Sequence, residues 1–210
     1  MRDSDLKDLA RSIEEYDYIK ETEQRRLYLF REIDWINDEG MGNIYVSQCG
    51  RIIQKIMKYN REDAGKDLED RKPIILYINC PGGDVNEGFG LVSAIEASST
   101  PVYTVNLGQW SSMAFLIGIS GDKRFALSHT TFLMHDGNFY AEGSTNKVIE
   151  TAEFMQNFER DVVKKHVLKH SNMKARDYNK KVKNEYYMLP KEALEWGFID
   201  KIVTNLDEIL

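Results

Sequence analysis

The sequence predicts an α/β protein built on a mostly parallel sheet. Three apolar stretches, at 73–80, 101–108 and 124–137, have the composition of buried strands. The first two are each followed by apolar residues at helical steps. Strand and helix therefore alternate along the chain, and this alternation favours right-handed crossovers between parallel strands. We expect a functional site where strands end and helices begin.

The N-terminal region is predicted to be a helical extension. Apolar residues recur at three- and four-residue steps through 3–24, which predicts an amphipathic helix that packs on the body or on another subunit. A single core is the most economical arrangement for 210 residues, so we divide the chain into an extension, 1–25, and a main domain, 26–210. RLYLFREI at 26–33 predicts the first strand. The polar stretch 60–72 predicts an exposed connection.

The C-terminal half begins with a long predicted helix. Apolar residues recur at helical spacing from about 144 to 170, with charged residues between them. Phe154 and Val167 lie partly off this apolar stripe, so we expect a second buried face, such as a subunit contact. The closing segment YYMLPKEALEWGFIDKIV predicts a short helix that begins at Pro190, followed by a short strand.

Composition and charge narrow the classes of function. Hydrophobic residues at 42% and charged residues at 30% are typical of a soluble globular protein. No apolar run approaches the roughly 18 residues of a membrane span, and the charged N-terminus does not resemble a secretion signal. These features indicate a cytoplasmic protein without a membrane partner. The net charge of −6, with both signs interspersed, argues against nucleic-acid binding.

Metal and cofactor sites are not expected from the sequence. Two cysteines, Cys49 and Cys80, are too few for a disulfide framework or a four-thiolate metal site, and they are expected to be structural thiols. The chain also has no nucleotide-binding motif. We therefore predict no intrinsic cofactor and no metal.

Two glycine-bearing turns follow two consecutive predicted strands. They are CPGG at 80–83 and GQWSSM at 108–113. Each turn leads into a helix N-terminus, where backbone N–H groups are unpaired and the local field favours negative charge. Side by side, the turns would form an oxyanion hole, in which each well-aimed donor is typically worth roughly 10² to 10³ in rate. The residues alone therefore indicate acyl chemistry.

Four histidines are available as a base for a serine in the second turn. His135 ends the predicted strand TTFLMH at the edge that carries both turns, and it is therefore the histidine best placed to meet Ser112. His129 enters the same strand and is a weaker candidate. His166 and His170 lie among lysines near the end of the long helix and are expected to be exposed.

The partner of the base is open on this reasoning, and so is the role of the serines. Asp136 follows His135 in a strand and should point to the opposite face, which leaves Asn184 and Glu185. Serine is also a favoured N-cap residue, so an ordinary helix cap is the alternative interpretation of Ser111 and Ser112.

Taken together, these residues resemble the Clp-type proteolytic subunit, a self-compartmentalising serine peptidase. The resemblance covers roughly residues 73–203 and rests on four motifs in the family's order, YINCPGGDV, GQWSSMAF, FLMHDG and LPKEALEWGFIDKIV. It implies a crotonase-like (ClpP/crotonase) fold of repeated strand-helix units, with 144–170 as a protruding handle helix. Residues 138–144 would lie in a strand region beside the handle, where substrate peptides bind as an added strand.

The resemblance also implies a Ser-His-acid triad. Ser112 matches the nucleophile, because it directly precedes Met113, and His135 matches the general base. Counting back from ALEWGFID places the family's aspartate at Glu185, with Asn184 beside it. We expect Glu185 to be the acid, because asparagine cannot stabilise an imidazolium by charge.

Around that triad, the resemblance assigns an oxyanion hole to the backbone N–H groups of Gly82 and Met113. Gly83 and Ser111 would support the two turns. Trp110 replaces a small residue of the family, so it either reshapes a substrate pocket or packs in the core.

The implied activity is that of an ATP-dependent serine endopeptidase that hydrolyses unfolded proteins inside a chamber. Two heptameric rings would stack as a tetradecamer, and a hexameric Clp-type ATPase partner would use the ATP. One alternative is a noncatalytic ring subunit that assembles with or regulates an active peptidase. A crotonase-like enzyme acting on acyl thioesters is the other, since it shares the oxyanion hole without needing the Ser-His pair.

Overall fold

The computed structural model describes residues 16, 17, 19–34 and 47–209. Residues 19–23 are helical, and most of the helix predicted for 3–24 lies outside the described residues. The segment 26–33 begins with a strand and ends in an isolated parallel bridge between Ile33 and Gly83. The prediction of an initial strand is therefore confirmed in part.

Seven strands of the described chain form one sheet, mostly parallel as predicted. The main path runs β1-β2-β3-β4-β7, while β5 pairs parallel with the end of β3 and antiparallel with β6. The strands are β1 (Arg26–Leu29), β2 (Ile74–Cys80), β3 (Val102–Ser111), β4 (Lys123–Leu127), β5 (Thr131–Met134), β6 (Tyr186–Met188) and β7 (Lys201–Val203).

Helices follow the strands and build the layers around the sheet. They are α1 (Gln48–Glu62), α2 (Val85–Glu96), α3 (Met113–Gly118), α4 (Thr145–Phe158), α5 (Lys164–Lys169), α6 (Ala175–Lys181) and α7 (Pro190–Glu195). Short 3₁₀ turns lie at Leu68–Asp70 and Leu206–Ile209. No helix in the described part of the chain is long and apolar enough to cross a membrane.

The single strand predicted for 124–137 is wrong, because the structure has two strands there. β4 pairs with the first half of β3, whereas β5 pairs with its last residues. A turn separates the two strands, and in it the Thr130 hydroxyl donates a hydrogen bond of 2.9 Å to the Leu127 carbonyl. An apolar run broken only by one short polar turn gives little sign that its halves pair with different parts of one strand.

The long helix predicted for 144–170 is confirmed as α4, a π-helical segment at Glu159–Val163, and α5. No residue of α4 is buried, whereas Val167 in α5 is fully buried. Phe154 is 64% exposed and stacks on Phe158. The helix therefore leaves the body at its N-terminal part and packs onto it at its C-terminal part.

Two apolar clusters lie on opposite faces of the sheet. Along β2, Leu76 and Ile78 belong to the larger cluster, while Ile75 and Tyr77 belong to the smaller one. This is the two-sided burial that a continuous apolar run predicts. The larger cluster packs the sheet against α1, α2 and α3.

The polar stretch 60–72 is not only an exposed connection. Asp63 is fully buried within it, and the Arg25 guanidinium donates bonds of 2.5 and 2.8 Å to its two carboxylate oxygens. Thr100 donates a further bond of 2.9 Å. These contacts, with that of the Arg25 guanidinium the largest, hold the pKa of the Asp63 carboxyl well below its usual range. Local polarity did not reveal this burial, because Arg25 lies far away in the sequence.

Candidate active site

Ser112 stands at the junction between β3 and α3. Its backbone N–H donates 3.0 Å to the Leu133 carbonyl of β5, and its Oγ lies 2.8 Å from Nε2 of His135. Although Ser112 occupies the N-cap position of α3, its side chain makes no capping hydrogen bond within the described chain. The Ser111 hydroxyl instead donates 3.2 Å to Oε1 of Gln109. Ser112 therefore holds the N-cap position, as the helix-cap interpretation expects, but neither serine hydroxyl caps the helix.

The backbone of Ser112 is strained. Its φ of 55° and ψ of −125° are rare for a residue with a side chain, and such a conformation costs about 1–3 kcal/mol. The pairing of Ser111 with Leu133 and the burial of every residue of α3 hold this conformation in place. The strain turns the hydroxyl away from the helix and toward His135.

Gly82 makes the close approach of the first turn to this serine possible. A Cβ on Gly82 would lie 2.6 Å from the Ser112 Cβ, and its φ of 105° also disfavours a side chain. The two glycine turns therefore meet as predicted, at the ends of the adjacent strands β2 and β3.

His135 is held between Ser112 and Glu185. Its Nδ1 lies 3.1 Å from Oε1 of Glu185. The strands β5 and β6 are antiparallel and pair Met134 with Tyr186, so the next positions along them, 135 and 185, face each other. Asn184 makes no hydrogen bond to His135 in the described structure; its backbone N–H donates to the Lys181 carbonyl. The strand register thus distinguishes two adjacent residues that the sequence left open.

The site is sheltered at the histidine and open at the acid. The side chain of His135 is 15% exposed, whereas that of Glu185 is 54% exposed. Water therefore reaches the outer end of the run Ser112, His135, Glu185. The attraction between Glu185 and a protonated His135 is screened more than it would be in a buried triad.

Two backbone N–H groups of the glycine turns, those of Met113 and Gly83, have no acceptor among the described residues. Met113 is the first residue of α3, and its N lies 3.1 Å from a Cβ built on Gly82. The N–H of Gly82 itself is directed at Cys80 Sγ, at 3.4 Å. The peptide groups on either side of Gly83 bond to Ile33, so the N–H of Gly83 points away from Ile33 and has no acceptor among the described residues.

The model of the Clp protease family matches residues 51–206. The chain belongs to the Clp protease family. The ATP-dependent Clp protease proteolytic subunit of Deinococcus radiodurans is 30% identical over 146 residues, which cover 67% of this chain and 71% of that protein. The protein of the same name in Streptococcus sanguinis is 28% identical over 169 residues, which cover 78% of this chain and 82% of that protein. The ATP-dependent Clp protease proteolytic subunit 2 of Thermobifida fusca is 27% identical over 163 residues, which cover 77% of each chain.

Membership of the Clp protease family confirms the predicted ClpP/crotonase-like fold and makes the chain a ClpP-like peptidase by family. The matched region, residues 51–206, contains both glycine turns, His135 and Glu185. It leaves out β1 but covers the other six described strands, β2 to β7, together with the residues of the site.

Trp110 is a core aromatic in this Clp protease family member. It is fully buried, packs edge to face on Phe132 at 5.4 Å between ring centroids, and touches Gly118 in α3. Its Nε1 has no hydrogen-bond partner in the described structure. The alternative, a pocket-lining role, is not what the structure shows.

The strand expected at 138–144 is absent, since these described residues are irregular. Gly137 and Gly143 have φ of 72° and 142°, which take the chain out of extended geometry at both ends. Phe139 and Tyr140 are exposed, at 53% and 83%.

The exposed state expected for His166 and His170 is also wrong. His166 is buried, His170 is half-buried, and both lie against Glu96 at the end of α2. Burial lowers the pKa of both imidazoles. Sequence reasoning missed this cluster because the neighbouring lysines suggested a solvated face. The useful signal was the four-residue spacing, which puts the two rings on the same side of the chain at the C-terminal end of α5.

Proposed function

We propose that this chain is a Clp-type serine endopeptidase subunit that hydrolyses peptide bonds of unfolded proteins. One observation carries the proposal: Ser112 Oγ, the two ring nitrogens of His135 and Glu185 Oε1 form a continuous run, with separations of 2.8 and 3.1 Å. Such a run gives a serine a base and gives that base a partner that orients it.

In the acylation step, His135 Nε2 accepts the proton of the Ser112 hydroxyl as Oγ attacks the substrate carbonyl carbon. The Nδ1–H donates to Glu185, which fixes the tautomer that leaves Nε2 free to accept. The protonated His135 then gives its proton to the leaving amine, and an acyl ester remains on Ser112. Water, deprotonated by His135, cleaves the ester and restores the serine.

The negative charge on the substrate oxygen would be stabilised by backbone N–H groups. Met113 supplies one of them. For the second donor, Gly83 is better supported than Gly82, because the N–H of Gly82 is directed at Cys80 Sγ while that of Gly83 has no described acceptor. Donors fixed before the reaction cost no reorganisation when the charge develops.

Assembly into stacked heptameric rings, forming a tetradecamer, is part of the proposal. The exposed apolar side chains of α4, Phe154 and Ile149, support it, since a second copy would cover them. A Clp-type ATPase would unfold the substrates in the cytoplasm and use the ATP, and the peptidase would need no cofactor of its own. Residues 138–144 would become ordered against an extended substrate.

The test is hydrolysis of a short fluorogenic peptide and of an unfolded protein. We expect wild type to cleave the peptide alone and Ser112→Ala and His135→Ala to lose that activity. Cleavage of the protein should require a Clp ATPase and ATP. Retained hydrolysis in Ser112→Ala would overturn the proposal, and turnover of an acyl thioester by that variant would favour the crotonase-like alternative.

A noncatalytic ring subunit is the second candidate, and the 54% exposure of Glu185 favours it, because a screened acid orients the base less firmly. It predicts that the chain cleaves no peptide by itself yet enters rings with an active peptidase subunit. Co-purification with such a subunit, with activity unchanged by Ser112→Ala, would identify it.

A further inference from the structure

Outside the candidate active site, Glu96, His166 and His170 bring three metal-ligating side chains together. One ligand atom from each lies within 4.8 Å of the other two. Glu96 Oε1 is 3.6 Å from Nδ1 of His166 and 2.7 Å from Nε2 of His170. Glu96 ends α2, while His166 lies in α5 and His170 is the residue that caps its C-terminal end, so the cluster joins two elements.

The tautomer of His166 can be assigned from its surroundings. Its Nε2 lies 3.0 Å from the Leu116 carbonyl, which only accepts, and 3.2 Å from Ser120 Oγ, whose own hydrogen is donated to that carbonyl. Nε2 therefore carries the hydrogen. Nδ1 is then the ring nitrogen that faces the Glu96 carboxylate, at 3.6 Å from Oε1.

Three potential ligand atoms therefore converge from two separate parts of the chain. We propose that Glu96, His166 and His170 bind a Zn²⁺ ion, with water as the fourth ligand. Two imidazoles and one carboxylate form a donor set that suits zinc. A histidine that ligates metal commonly donates its other ring N–H to a backbone carbonyl, as His166 does to Leu116.

The distances fit after small side-chain movements. Ligand atoms of tetrahedral zinc are separated by about 3.3 Å, given bond lengths of about 2.0–2.2 Å. The 3.6 Å pair is close to that spacing already, and the 2.7 Å hydrogen bond between His170 and Glu96 would open as the metal replaces its hydrogen. The backbone of His170 is held, because its carbonyl accepts 2.7 Å from Arg124.

Lys169 competes with the ion. Its ammonium lies 2.9 Å from Glu96 Oε1, but the side chain is 63% exposed and can swing into water. A bound zinc ion would then link the C-terminal end of α5 to the C-terminal end of α2. Through His166, it would also act on α3, which begins directly after Ser112. The site is separate from the proposed catalytic residues and does not depend on their activity.

The experiment is a Zn²⁺ titration of the full-length protein, stripped of metal, in competition with a chromophoric chelator. Wild type should bind one ion per chain. Glu96→Gln and His170→Ala should weaken binding at least about tenfold, the lower end of the loss that even outer-shell changes cause. The matched controls are His129→Ala, which removes an exposed histidine, and His135→Ala, which removes the histidine beside Ser112. Both should bind as wild type does.

Lys169→Gln provides a test that does not depend on damaging a buried residue. Removing the competing ammonium should tighten Zn²⁺ binding about two- to fivefold, the value of an exposed ion pair. The proposal is overturned if wild type binds no ion, if Glu96→Gln and His170→Ala bind as tightly as wild type, if His135→Ala alone abolishes binding, or if Lys169→Gln leaves the affinity unchanged or weaker.

Discussion

Replacing Glu185 by glutamine removes a charge beside His135 while keeping an acceptor oxygen in the same place. At the 3.1 Å separation, opposite unit charges attract by about 1.3 kcal/mol at the dielectric constant of water and by about 5 kcal/mol at an effective value of 20. The 54% exposure of Glu185 places the site between these limits. We take about 3 kcal/mol, which corresponds to about 10²-fold in rate.

The assay is kcat/KM for a short fluorogenic peptide. We expect Glu185→Gln to lose about 10²-fold, mainly in kcat, because the imidazolium exists only as the reaction proceeds. This is smaller than the loss of about 10⁴ known for a buried acid, since water screens Glu185. Asn184→Ala is the matched control, as it changes the adjacent residue that does not bond to His135. It should stay within about threefold of wild type, a difference of less than 1 kcal/mol.

Two results would refute this reasoning. Glu185→Gln with unchanged kcat/KM would mean that the carboxylate does not act on His135. An equal loss in Asn184→Ala would mean that the segment before β6 supports the fold of the site and that the charge has no particular role.

Substitutions at three further positions test the surroundings of the site and the core. Gly82→Ala should lower kcat/KM for peptide hydrolysis at least about 10²-fold, because the added Cβ would collide with Ser112. The control is Gly65→Ala, which also changes a glycine of positive φ but adds a Cβ in open space, and it should keep its activity. Asp63→Asn should lower the free energy of unfolding at pH 7 by about 3–5 kcal/mol. Because the pKa of Asp63 is lowered in the folded protein, the ionised carboxylate stabilises the fold at pH values above its unfolded pKa of about 4, and this stabilisation is lost as the pH falls toward the folded pKa. The difference in the free energy of unfolding between wild type and Asp63→Asn, measured by denaturant unfolding, should therefore shrink at low pH. A difference that stays constant with pH would contradict this. Trp110→Ala should lower the free energy of unfolding by about 3–5 kcal/mol. Trp110→Phe should lower it by less than half of that, because the indole N–H has no hydrogen-bond partner to lose in the described structure. Equal losses in the two variants would contradict the assignment of Trp110 to the core.

Local patterns in the sequence were sufficient to predict a mostly parallel sheet, its strands at 73–80 and 101–108, and the two turns. A continuous apolar run such as 73–80 reports a buried strand directly, and CPGG reports a turn that needs positive φ. The edge that carries Ser112 and His135 follows from the order of strands and helices.

Features that depend on pairing between distant segments were not predictable in the same way. Whether Asn184 or Glu185 faces His135 depends on the register of β5 and β6, and a shift by one residue would exchange them. The burial of Asp63 depends on Arg25, and the burial of His166 on the contact between α5 and α3. In each case the deciding partner is distant in the sequence.

Covalent labelling by a fluorophosphonate tests most directly whether Ser112 is an activated nucleophile. We expect one adduct per chain by intact mass, mapped to Ser112 and lost in Ser112→Ala and His135→Ala. Ser111→Ala, which changes the neighbouring hydroxyl that bonds to Gln109, should still be labelled. Absence of labelling on assembled wild-type rings, or an adduct at another residue, would contradict the account.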